Sequence, residues 1–228
     1  MKALIFDFDG TILDTEQAEY TAWTQTYARY GGELTLQDYL PWVGTADPVF
    51  DPYAHLEAQI GPFDREAFDR ERREKLYALL AELQPLPGVL DWLERARSLG
   101  LRLAVASSSS ARWVLGHLEQ HRLHGFFEHV ITREHVERTK PDPALFLKAA
   151  QALGTAPAEC VAVEDSLNGV KAAKAAGMYA LAVPNFLTRH LDLSPADRLL
   201  PSLAGLSLEQ FLQELKAGIA VLRETRGP

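Results

Sequence analysis

Residues 3–11 read Ala3-Leu4-Ile5-Phe6-Asp7-Phe8-Asp9-Gly10-Thr11, and the fold can be worked outward from them. A continuous apolar run too short for a helix suits a strand buried on both faces. It stops at two acids, Asp7 and Asp9, and Gly10 then lets the chain turn tightly away. Runs of the same kind recur at Leu101-Arg102-Leu103-Ala104-Val105-Ala106, His129-Val130-Ile131, Cys160-Val161-Ala162-Val163 and Tyr179-Ala180-Leu181-Ala182-Val183. Three of them follow helix-like stretches that stop at Gly100, Gly154 and Gly177, glycine being suited to the left-handed residue that ends a helix. Repeated helix, glycine, strand units predict an α/β fold, a Rossmann-like parallel sheet with helices on both faces.

Residues 15–84 break that rhythm. Thr15 to Tyr30 and Asp64 to Leu83 have helical patterns, with Tyr20, Trp23 and Tyr27 on one face, and no strand-like run lies between them. The expected organisation is a small helical domain, residues 15–84, inserted after the first strand of a core made of residues 1–14 and 85–228. The aromatic stripe is expected to be the insert's own core rather than a ligand platform. Pro85-Leu86-Pro87-Gly88 reads as the hinge back into the core, and Leu206 to Leu222 as an amphipathic helix packed on it.

Composition narrows the function. A formal charge of −8 over 228 residues argues against nucleic acid or an anionic membrane as partner, because both need clustered Lys and Arg. The single cysteine, Cys160, cannot form an internal disulfide and sits in an apolar run, so it reads as a small buried hydrophobe. No segment reads as a signal peptide or a membrane span, which places the expected protein in the cytoplasm as a monomer or weak dimer.

In an open parallel sheet, ligands bind beyond the carboxyl ends of the strands. The first run ends in Asp7 and Asp9, the second in Ser107 and the fourth in Glu164 and Asp165, while Lys140 follows the third. Charges at the ends of buried strands are unfavourable unless paired or bound to metal. Two pairs of acids crowded together call for a cation, and hard oxygen ligands select Mg²⁺. Asp142 and Pro143 after Lys140 suit the start of a helix. In the run Ser107 to Ser110, Ser107 is expected to be functional and Ser109 or Ser110 to cap the next helix.

Asp7-Phe8-Asp9-Gly10-Thr11 resembles the first signature of the haloacid dehalogenase-like superfamily, and Ser107, Lys140-Pro141 and Glu164-Asp165-Ser166 fall in order where its other three belong. The resemblance implies that Asp7 attacks phosphorus to form an aspartyl phosphate and that Asp9 protonates the leaving oxygen and later deprotonates water. It implies Mg²⁺ held by the Asp7 carboxylate, the Asp9 carbonyl and Asp165, with Glu164 either a ligand or an acceptor behind it. Ser107 and Lys140 would bind the phosphoryl group. The implied activity is Mg²⁺-dependent hydrolysis of a small phosphorylated metabolite.

The helical insert resembles the cap of the phosphoglycolate phosphatase and β-phosphoglucomutase branch, and Lys75 is its candidate substrate contact. Relative to the sugar phosphomutases, Glu19 stands in place of the cap histidine, and Asp47 or a neighbour in place of the arginine after Gly44-Thr45. A mutase needs a second anion grip in the cap, so phosphatase ranks above mutase. Asp9, which a 2-haloacid dehalogenase does not need, favours phosphate chemistry over dehalogenation. A catalytically silent binding domain is the remaining alternative, against which the retained signatures speak.

Overall fold

In the computed structural model, which describes residues 1–43 and 50–225, each predicted apolar run forms a strand. These are β1 (Ala3–Phe6), β2 (Arg102–Ala106), β3 (His129–Ile131), β4 (Cys160–Glu164) and β5 (Tyr179–Ala182). A two-residue strand, β6 (Arg198–Leu199), adds an edge that no apolar run announced, because both its residues are exposed. All pairings are parallel, in the order β3-β2-β1-β4-β5-β6. β1 is therefore central, and the chain winds outward from it in both directions, which opens a crevice at its carboxyl end.

Both faces of the sheet are covered. Leu4, Phe6, Val105, Val161 and Val163 pack with Trp92 and Leu93 of α5 (Val89–Ser98), Val114 of α6 (Ala111–Gln120) and Phe211 of α9 (Leu208–Thr225). Ala3, Ile5, Ala104, Ala162 and Ala180 point the other way, against Phe146 and Ala149 of α7 (Ala144–Ala152) and Val170 and Ala173 of α8 (Leu167–Ala175). Alternation along each strand supplies the two faces. Cys160 is fully buried in the second of them. The expected carboxyl-terminal helix forms and buries Leu208, Phe211 and Leu215 against the core.

The predicted glycine stops hold: Gly100, Gly154 and Gly177 have φ of 69°, 60° and 77°. In each case the next residue's N–H reaches back to close the helix, Leu101 to Ala96, Thr155 to Ala150 and Met178 to Ala173. Pro143 stands at the N-cap of α7 rather than inside its first turn, and the Asp142 carboxylate accepts from Ala144 N.

Between β1 and α5 lie α1 (Thr15–Tyr30), α2 (Leu36–Tyr39), α3 (Pro52–Ile60) and α4 (Arg65–Glu82). Trp23, Tyr27, Tyr39, Leu56 and Phe68 form their shared core, together with Leu187 from the segment after β5. The aromatic stripe is thus internal packing, with Tyr20 at its margin 4.9 Å from the Tyr39 ring. Leu86 N donates to Ile12 O, so the two strands of chain that link these helices to the sheet lie side by side. Gly44, Thr45 and Asp47 lie outside the described residues.

Candidate active site

Beyond the carboxyl ends of β1, β2 and β4 is a cavity of about 480 Å³, within the range that holds small metabolites. Asp7, Asp9, Lys140 and Asp165 all line it. Three segments far apart in sequence therefore meet where the topology reverses, and the serine loop after β2 joins them. Ser107 is fully buried behind the lining, and Ser108 and Ser109 face the cavity instead. Lys75 is not among the lining residues; Leu76, one position on in α4, is.

Lys140 is the hub of the buried charges. Its Nζ donates to Asp7 Oδ1 and, at 2.5 Å, to Glu164 Oε1. Burial opposes the ammonium, but the two carboxylates outweigh it and hold its pKa above the ordinary lysine value. Burial, opposed by Lys140 and reinforced by Glu164 and Asp9, pushes the Asp7 carboxyl up to about 8. Asp165 is raised as well, by burial and by Asp7 and Glu164. Ligand atoms of Asp7, Glu164 and Asp165 lie within 4.8 Å of one another, three carboxylates against one ammonium.

Both carboxylate oxygens of Glu164 are engaged within the protein. Its Oε1 faces Lys140, while Oε2 accepts from Asp165 N at 3.2 Å, Ser166 N at 3.3 Å and Ser166 Oγ at 3.1 Å. A Cβ on Gly169 would meet the Glu164 carboxyl carbon at 1.9 Å, so only glycine leaves room for it. Glu164 is engaged as the acceptor that fixes Lys140. Asp165 is oriented by Asn185 Nδ2 at 2.8 Å and Thr11 Oγ1 at 3.3 Å.

Asp9 is held by donors from two helix starts and from the serine loop. Its Oδ1 accepts from Thr15 Oγ1 and Trp113 Nε1, both at 2.8 Å, and its Oδ2 from Ser109 Oγ at 2.6 Å, with Ser107 Oγ at 3.4 Å. Ser110, not Ser109, caps α6 by accepting from Trp113 N. Sequence reasoning missed Trp113, Thr15 and Asn185 as site residues. Asn185 carried a usable signal, since it lies just past the carboxyl end of β5.

Glu16 was also missed. It lines the cavity, and burial, followed by repulsion from Asp9, Glu19 and Asp14, pushes its carboxyl up to about 7 from an ordinary 4.5. A raised acid pKa means that the native state holds this proton more tightly than the unfolded chain. Wild-type protein therefore loses stability as pH rises through that window. Without metal, Glu16→Gln is expected to stabilise by about 1–3 kcal/mol near pH 8 and by much less near pH 5. Thermal melts in EDTA at the two pH values check this; equal gains would place the carboxyl in water.

A haloacid dehalogenase-like hydrolase profile matches residues 1–177, and YhcW of Bacillus subtilis is 43% identical over 95% of this chain and 99% of its own length. The chain belongs to the haloacid dehalogenase-like hydrolase family. The fructose-1-phosphate phosphatase YqaB of Escherichia coli is 36% identical over 79% of this chain and 95% of its own. The crystal structure of CbbY from Rhodobacter sphaeroides in complex with phosphate is similar at a TM-score of 0.70 and 31% identity, covering 92% of this chain and 98% of that one. A variant of CbbY was crystallised with xylulose-(1,5)bisphosphate. Within the family's fold, the four signatures of this chain are the segments that meet at the cavity. Among the described residues, no helix is long and apolar enough to cross a membrane.

Proposed function

We propose that this chain is a Mg²⁺-dependent phosphatase that hydrolyses a small phosphorylated metabolite through an aspartyl phosphate. The observation that carries the reading is the buried group of Asp7, Glu164 and Asp165 with Lys140 as its single ammonium. Its surplus negative charge and hard oxygen donors fit a divalent cation, and relatives named as phosphatases support the reaction class. Asp7 and Asp165, with the Asp9 carbonyl, would hold Mg²⁺, while Glu164 stays with Lys140. When bound, the ion offsets repulsion between the carboxylate nucleophile and an anionic phosphoryl group.

The residues divide the work. Asp7 attacks phosphorus and the ester oxygen leaves; water then cleaves the aspartyl phosphate, releasing phosphate and restoring the carboxylate. Lys140 pairs with Asp7 and neutralises charge on the transferring group. Asp9 delivers the proton to the leaving oxygen and later takes one from water. Trp113 Nε1–H, which can only donate, and Ser109 Oγ hold the two oxygens of Asp9 and fix the orientation of its carboxyl group. Residues 15–84 act as a cap that closes the cavity against water and supplies specificity contacts.

A screen of phosphate esters with Mg²⁺ and with EDTA tests the reading. Release of phosphate only with Mg²⁺ is expected, and a hexose 1-phosphate should yield phosphate without accumulation of the 6-phosphate isomer. No turnover of any ester would turn the assignment toward a binding role, and isomer accumulation toward a mutase.

A further inference from the structure

The part of the cavity wall that α1 supplies presents acids. Glu16 and Glu19 of α1 line the cavity along with Tyr39, Val43 and Leu76. Lys140 is the single Lys, Arg or His among the described lining residues. Residues 44–49, Gly-Thr-Ala-Asp-Pro-Val, include no cationic residue. Arg72 of α4 does not line this cavity; it lines an adjoining one with Trp23 and Tyr53, and Glu19 lines both. Arg72 Nη1 pairs with Glu19 Oε1 at 2.6 Å, and the same oxygen accepts from Trp23 Nε1 at 3.1 Å. The guanidinium carbon lies 4.4 Å from the Trp23 ring centroid, and the side chain is only 11% exposed. Arg72 Nε makes no hydrogen bond, Asp69 Oδ1 being 3.5 Å away.

An arginine directly behind the wall of a substrate cavity is a ready anion grip. Here an acid already occupies it. A second phosphate or carboxylate entering the cavity would meet Glu16 and Glu19 rather than a cation, and like charges brought together at close range are strongly disfavoured. Specificity then comes from a repulsive element as much as from an attractive one. A neutral polyol meets the opposite situation, since carboxylates accept hydrogen bonds from hydroxyls.

Resting on the phosphatase reading, we propose that the substrate is a phosphate monoester with a neutral, hydroxyl-bearing leaving group, and that Glu19 sets this preference by holding Arg72 away from the cavity. Glu19 is thus a specificity-determining residue, and Arg72 a masked anion site. The CbbY complex with a bisphosphate shows that a similar structure accommodates a second phosphate, so discrimination here falls to the side chains of this cavity rather than to its architecture.

Two matched pairs of esters test the proposal. One is 2-hydroxyethyl phosphate against 2-phosphoglycolate, which differ in a hydroxymethyl or carboxylate end; the other is fructose 1-phosphate against fructose 1,6-bisphosphate. Wild-type protein is expected to favour the neutral member of each pair in kcat/KM by about tenfold or more. Glu19→Gln keeps the shape and removes the charge, so that Arg72 is held there only by an uncharged acceptor, and should narrow that ratio by about tenfold. Adding Arg72→Met, which keeps an apolar stem over Trp23, should restore most of the ratio. Arg72→Gln in the same background is a second control in case the first lowers the melting temperature. Equal turnover within each pair in wild type, or a ratio unmoved by Glu19→Gln, overturns the proposal. So does a gain that survives loss of Arg72. p-Nitrophenyl phosphate separates the two levels: turnover of it with equal rates within the pairs defeats this inference alone, and no turnover of it or of any pair member defeats the phosphatase reading.

Discussion

Asp7→Asn is expected to lower phosphate release by roughly 10⁴-fold or more while the chain still folds. The amide keeps the shape of the side chain and can still accept a hydrogen bond from Lys140, but it cannot form the covalent phosphate. Charge counting adds a second expectation. Three buried carboxylates share one ammonium, so removing one negative charge relieves repulsion in the metal-free protein. Asp7→Asn should therefore melt at a higher temperature than wild type in EDTA, and the gain should shrink when Mg²⁺ is added. Full activity in this variant would remove Asp7 from the nucleophile role. Lost activity together with a collapsed melting temperature would make it a structural residue.

Lys140→Met should act in the opposite direction on stability. Methionine fills most of the same volume, yet Asp7 and Glu164 lose their shared cation while Glu164 remains fully buried. Breaking a buried ion pair by removing one partner costs on the order of 3–5 kcal/mol. For a chain of this size that is a drop in melting temperature of about 10 °C. Mg²⁺ should recover part of the loss, so the variant's melting temperature should depend on Mg²⁺ more steeply than that of wild type. Turnover should fall by about 10²- to 10³-fold, the usual effect of deleting a group that stabilises transferring charge. A variant as stable as wild type in EDTA would mean that the buried carboxylates are compensated by another group.

Asp7 was legible in the sequence because it ends an apolar run buried on both faces, and Lys140 because Pro141-Asp142-Pro143 after it marks a strand-to-helix loop. The same logic located Asp165 and the serine loop. It did not reach β6, whose two residues are exposed at the sheet edge and carry no hydrophobic signal. The partners of Asp9 were harder still. Trp113 lies three residues past the Ser110 cap in an ordinary amphipathic helix, and only the tertiary arrangement brings its indole to a carboxylate 104 positions earlier. Glu16 resembled the first-turn acid that favours any helix start, and nothing in its sequence neighbourhood told a solvated acid from one facing other acids. Lys75 and Arg72 show the limit of charge reading within α4. The two cations are three residues apart, so on neighbouring positions of one helix, and the pairing with Glu19 that distinguishes Arg72 comes from a different helix.

The Trp113 indole bonded to Asp9 has an optical consequence. Indole emission responds to the charge and hydrogen bonding at its ring nitrogen, so the residue proposed to shuttle protons is wired to a natural fluorophore. Trp92 donates instead to the carbonyls of Leu203 and Leu206 in the core, and Trp23 to Glu19 of α1. Any event that draws the Asp9 carboxylate away from Trp113 changes the surroundings of that indole and leaves the hydrogen bonds of Trp23 and Trp92 in place. Trp113 thereby offers an internal, label-free readout of the residue proposed to act as acid and base, suited to stopped-flow observation of single turnovers.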